Sequence, residues 1–129
     1  MTAESRRPTS PSGSEQPDLL TQEQRAGVLL LTVTASQIDD SNADRLSEAM
    51  ERASASSAEP RVVLNLERVE YLSSAALGIF IAYRQKLDRE GGKLRLCGFQ
   101  TNIAQVFRLT KLDRAFDIRP DLDSALDGF

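Results

Sequence analysis

The chain contains no histidine and a single cysteine among its 129 residues. Without histidine there is no Ser-His-Asp triad, no imidazole metal ligand and no side chain that ordinarily titrates near neutral pH. One cysteine makes neither an internal disulfide nor a thiolate cage. Cys97 lies in an alternating apolar run and reads as a small buried hydrophobe. Long apolar segments are also missing: the longest runs, Val28 to Val33 and Ala75 to Tyr83, are too short to cross a bilayer. No apolar stretch follows the first residues, so no secretory leader is expected. Lys and Arg number 16 and Asp and Glu 19, a net charge of −3. Such a chain has no strong long-range pull on phosphate backbones, so no direct nucleic-acid partner and no membrane insertion are expected. A cytoplasmic domain remains, with the 40% apolar and 27% charged composition of an ordinary globular fold.

Several catalytic signatures are absent. The turn Ala35-Ser36-Gln37-Ile38-Asp39 carries no glycine to bring a backbone against a pyrophosphate. No Walker sequence and no G-x-S-x-G elbow occurs. The strand Val62 to Leu66 ends in Glu67-Arg68, without the acceptor Asp of a phospho-receiver. Asp39-Asp40 as a hydrated metal site, serving a small hydrolase, is a reading to set against a solvated turn before a helix. No enzyme activity, cofactor or metal site is expected.

Two regions divide the chain. Ten of residues 1–17 are Ser, Thr, Pro or Gly and none is a large aliphatic. This segment cannot bury enough area to offset its ordering entropy and is expected to be a disordered leader. Residues 18–129 carry the pattern of one domain. A short strand at Leu19-Leu20 and a turn at Gln24 to Gly27 precede Val28 to Val33, a strand buried on both faces. Ala43, Leu46, Ala49, Met50 and Ala53 have helical spacing, with Ser41 and Asp44 as a capping pair. Val62 to Leu66 is the next core strand. Ala75 to Ala82 begins a helix apolar on every side, ended by Gly91-Gly92. Lys93 to Phe99 alternates as a strand with one solvated face. Thr101 caps a short helix carrying Ile103, Val106, Phe107 and Leu109, Phe116 to Ile118 is a short strand, and Asp121 or Asp123 starts a last helix. The order β-β-α-β-α-β-α-β-α predicts an α/β domain: a mixed, mostly parallel sheet of about five strands packed against about four helices.

The segment Val69-Glu70-Tyr71-Leu72-Ser73-Ser74-Ala75-Ala76-Leu77-Gly78 places two hydroxyls where a loop enters an apolar helix. Helix capping, worth about 1 kcal/mol, is one explanation. The wider pattern offers another. Val28 to Leu31 leading to Ile38-Asp39, Val62 to Leu66, Tyr71 to Gly78, Gly91 to Gly98 and Val106 to Asp113 stand in an order and spacing that resembles the STAS domain, over residues 19–128. That module is shared by sulphate transporters and bacterial anti-sigma factor antagonists. The free-standing size resembles the antagonist branch. The resemblance implies partner switching: the unmodified protein binds an anti-sigma factor that is also a serine kinase and so frees a sigma factor. Phosphorylation then separates the pair, and a metal-dependent serine phosphatase reverses it. The acceptor position corresponds to Ser74, with Ser73 and Ala76 where the family often has Asp and Gly. The partner surface it implies comprises Asp39, Asp40, Ser41, Asn42, Ser73, Ser74, Ala75 and Ala76. Two other roles of this module are an unphosphorylated scaffold in a sensory complex and an accessory subunit of a membrane lipid transporter.

Overall fold

The computed structural model describes residues 19–129; the expected disordered leader, 1–17, lies outside the described residues. Strand β1 (Leu20–Arg25) turns through Ala26 and Gly27, both at positive φ, into β2 (Val28–Val33). Positive φ at both central residues gives the turn twist that an antiparallel hairpin needs. β3 (Gln37–Ile38) leads into α1 (Ala43–Ser54), followed by β4 (Arg61–Asn65), β5 (Tyr71–Leu72) and α2 (Ser74–Arg89). β6 (Lys93–Cys97), α3 (Thr101–Leu109), a 3₁₀ turn (Leu112–Arg114), β7 (Asp117–Arg119) and α4 (Leu122–Leu126) complete the chain. The main sheet runs β1-β2-β4-β6-β7, antiparallel at the first pair and parallel at the other three. This is the expected α/β architecture.

One face of the sheet carries α1, α2 and α3 over a core that includes Leu31, Leu46, Met50, Leu64, Phe80, Leu96 and Phe107. The other face is closed by α4, whose Ala125, Leu122 and Leu126 pack on Val28, Leu30, Val63 and Cys97. Two-sided burial explains the unbroken apolar run of β2. The Tyr83 hydroxyl donates to the Met50 carbonyl at 3.3 Å and stitches α2 to α1. Burial pushes this phenol up to about 12. Among the described residues no helix is long and apolar enough to cross a membrane.

Several boundaries differ from the sequence reading. β1 is longer, because pairing with β2 extends it through polar residues to Arg25. Thr101 is the first residue of α3 rather than its cap, a place taken by Gln100. α2 is not buried all round: Gly78 and Ala82 are exposed, because a helix on a sheet hides only its inner face. It does end at the glycine pair, with Gly91 at φ +77° and the Gly92 amide donating to the Leu87 carbonyl at 2.8 Å. Asp121 caps α4, accepting from the Ser124 amide at 2.9 Å.

Cys97 is fully buried, and loss of hydration pushes its thiol up to about 11, with Glu67 and Asp121 adding to the shift. Thiolate is the reactive form. The native protein should therefore resist a thiol reagent at pH 8 and take up one equivalent once unfolded in guanidinium, as read by absorbance. Fast labelling of the native chain would contradict this burial.

Candidate functional site

At the carboxyl edge of the parallel strands the chain leaves β4, crosses residues 66–70, forms β5 and enters α2. Leu66 and Val69 are fully buried and anchor the crossing loop. Polar side chains hold its backbone. The Asn65 Nδ2 donates to the Glu67 carboxylate at 2.8 Å. Gln100 Nε2 donates to the Glu67 carbonyl at 3.1 Å, and Asn102 Nδ2 to the Glu70 carbonyl at 2.7 Å. Gly98, at φ +77°, lets this edge close up: a Cβ there would fall 2.6 Å from Asn65 Oδ1.

From the opposite side, β3 pairs parallel with β5, Gln37 against Tyr71 and Ile38 against Leu72. The Glu70 and Tyr71 amides both donate to the Ser36 carbonyl, and the Ser73 amide donates to the Ile38 carbonyl at 2.9 Å. This small second sheet brings the loop before α1 beside the start of α2.

The two serines divide the work. Ser73 has extended backbone and is the N-cap of α2, its Oγ accepting from the Ala76 amide at 3.2 Å. Ser74 is the first helical residue and is exposed. Among the described residues its hydroxyl has no hydrogen-bond partner. Capping thus accounts for one hydroxyl and leaves the other free.

Ala75 is half-buried, whereas Ala76 is 0% exposed and faces the core. Its side chain presents nothing to a partner, which corrects its inclusion in a binding surface. The physical reason is the helical period: two residues beyond Ser74 the side chain points inward.

The loop before α1 is also rearranged relative to the sequence reading. Ser41 does not cap α1; the N-cap position is Asn42, which makes no side-chain capping bond. The Ser41 amide and hydroxyl instead donate to Asp39 Oδ1, at 2.9 and 2.6 Å. Asn42 is turned back into the loop, accepting from the Asp39 amide and donating to the Gln37 carbonyl, each at 2.9 Å. The Ser41 hydroxyl and then its amide hold the Asp39 carboxyl below the usual carboxylate range. This turn is therefore reinforced at neutral pH and loosens as pH falls through the lowered Asp39 pKa. Asp40 is exposed.

Sequence reasoning missed Tyr71, Gln100 and Asn102. Tyr71 is 51% exposed beside the serines. Gln100 and Asn102 read as ordinary polar residues at a helix start, and nothing local shows which distant carbonyls they reach. Chemically, the site offers an accessible hydroxyl without a histidine to activate it. Among the described residues no group of three or more His, Cys, Asp or Glu is placed to hold a metal ion.

Comparison with known proteins identifies the family of the chain. A Bordetella bronchiseptica protein named as an anti-sigma factor antagonist, BtrV, is 29% identical over 101 residues, 78% of this chain and 86% of the relative. The crystal structure of an anti-sigma factor antagonist from Mycobacterium paratuberculosis is 32% identical, with a TM-score of 0.72 over 86% of this chain and 94% of that one. The Bacillus cell fate determinant SpoIIAA, solved in its phosphorylated form, shares the fold at 16% identity, with a TM-score of 0.62 over 84% and 96% of the two chains. Residues 20–125 match the family profile described as the STAS domain, and the chain belongs to that family.

Proposed function

We propose that this protein is a cytoplasmic anti-sigma factor antagonist. It binds an anti-sigma factor that is a serine kinase, releases the sigma factor, and is switched off by phosphorylation of Ser74; a serine phosphatase restores it. The observation that carries this reading is the division of the serine pair: Ser73 caps the helix, and Ser74 stands exposed at the mouth of α2 with no hydrogen-bond partner among the described residues. The relatives named as anti-sigma factor antagonists support the choice of partner, and the phosphorylated SpoIIAA supports the kind of switch. The protein acts as a regulator and substrate, not as a catalyst.

The binding face comprises Ser74 and Ala75 with Asp39, Asp40, Ser41 and Asn42, and Ser73 shapes it from behind. Both bonds from Ser41 fall on Asp39 Oδ1, which leaves Oδ2 for a partner.

A phosphate on Ser74 adds about −1.5 to −2 charge at neutral pH. The first turn of α2 holds no acidic residue. Helix amides and dipole favour an anion there by roughly 0.3–2 kcal/mol, so the modified domain stays folded. In the complex the same phosphate is pressed against a surface shaped for a hydroxyl. An uncompensated buried charge costs about 3–5 kcal/mol, enough to separate the partners.

The test is incubation with a kinase-type anti-sigma factor of the same genome and ATP, followed by mass spectrometry of the peptide containing Ser73 and Ser74. One phosphate on Ser74, lost on treatment with a serine phosphatase, is expected. Modification confined to Ser73, or none with any such kinase, would sink the reading.

A further inference from the structure

Gly78 lies one helical turn after Ser74, on the same solvent-facing side of α2. It is absent from the positive-φ glycines, and a Cβ built on it meets nothing within 4 Å. The fold itself therefore has no need of glycine here, unlike Gly98, whose φ and close neighbour exclude a side chain. Glycine is nonetheless the least favourable helix-interior residue after proline. The free chain is weakened at this position with no compensating contact inside it. The surface over Gly78 is open, so a backbone from outside has room to approach it.

Two further features say what approaches. Tyr71 is a half-exposed ring on a paired strand, so it is held in place while left uncovered. Aromatic side chains of this kind are common energetic anchors of interfaces. The surrounding loops and the start of α1 are acidic: Asp39, Asp40, Asp44 and Glu70 outnumber Arg45 and Arg68.

Resting on the function proposed above, we infer that Gly78 is the point of closest approach between α2 and the main chain of the anti-sigma factor. Tyr71 anchors that contact, and a basic partner surface faces the acidic rim. Gly78 is thus a specificity-determining residue: any side chain there holds off the partner backbone and leaves Ser74 out of the kinase's reach.

The prediction has opposite signs for the free and the bound protein. Gly78→Ala should raise the Tm of the free chain by about 3–5 °C, because a better helix former enters open space. The same change should weaken binding about tenfold, and Gly78→Leu about a hundredfold. Tyr71→Ala should weaken binding about tenfold, with Tyr71→Phe restoring most of it. Affinity should fall as salt rises. The measurement is calorimetric titration of each full-length variant into the kinase-type anti-sigma factor that binds the unaltered chain, with thermal melts alongside. Binding of Gly78→Leu within threefold of the unaltered chain overturns the inference and leaves the proposed function standing. A lower Tm for Gly78→Ala also overturns it, since the glycine would then serve the fold. An unaltered chain that binds no such factor overturns the proposed function and this inference together.

Discussion

Ser74→Asp is expected to weaken binding to the anti-sigma factor by about one to two decades, and phosphorylation of Ser74 by two to three. The difference follows from charge: an aspartate brings one negative charge and fewer acceptor oxygens than a phosphate. Each decade corresponds to about 1.4 kcal/mol, and the larger shift lies within the cost of burying an unpaired charge. Ser74→Ala should bind as tightly as the unaltered chain and should not be released by ATP. Both variants should fold normally. The Ser74 side chain is exposed and makes no hydrogen bond among the described residues, so its loss should change stability by no more than about 0.5 kcal/mol. Ser73→Ala gives the contrasting result. It removes the acceptor for the Ala76 amide and should lower stability by about 1 kcal/mol without abolishing phosphorylation. Calorimetric titration and thermal melts of the three variants read both effects. Equal affinity of Ser74→Asp and the unaltered chain would refute the switch.

The largest loss of stability is expected from Phe80→Ala. Phe80 is fully buried, and it is among the largest side chains of the core between α2 and the sheet. Truncating such a ring costs about 3–5 kcal/mol through lost transfer energy and the cavity left behind. Domains of this size are stable by roughly 5–15 kcal/mol, so about a fifth or more of the total is at stake. The Tm should fall by about 10–20 °C. Because the ring faces inward, the variant should still bind the anti-sigma factor near normally at 10 °C, where it remains folded. Urea titration with an unchanged slope would identify the loss as one of stability. A drop in Tm under about 3 °C would mean that α2 is seated by other residues.

How far the sequence reaches is clear at particular positions. The alternation of strands and helices was legible because apolar periodicity and glycine stops are local signals. Val28 to Val33, Val62 to Leu66 and the Gly91-Gly92 stop all lie where the pattern places them, to within a residue or two. Ser74 is distinguished from Ser73 only by the resemblance to the STAS domain, whose acceptor position it occupies. The pairing of β3 with β5 was not legible. Each strand has two residues, too few for a propensity, and their partners stand more than thirty residues apart. Ser41 and Thr101 do not take the capping roles that their positions suggest. A hydroxyl beside a helix start caps it only in one register, and here each lies one residue from the N-cap.

From the residues alone came the fold class, the lack of histidine chemistry, and a hydroxyl pair at the mouth of an apolar helix. These depend on composition and on neighbours a few positions apart. Tertiary structure alone decided which hydroxyl is tied down and which is free, that Ala76 faces inward while Gly78 faces outward, and that Asp39 and Tyr71 flank the same helix start. Those outcomes depend on backbone register and on contacts between distant strands, and a linear pattern carries neither.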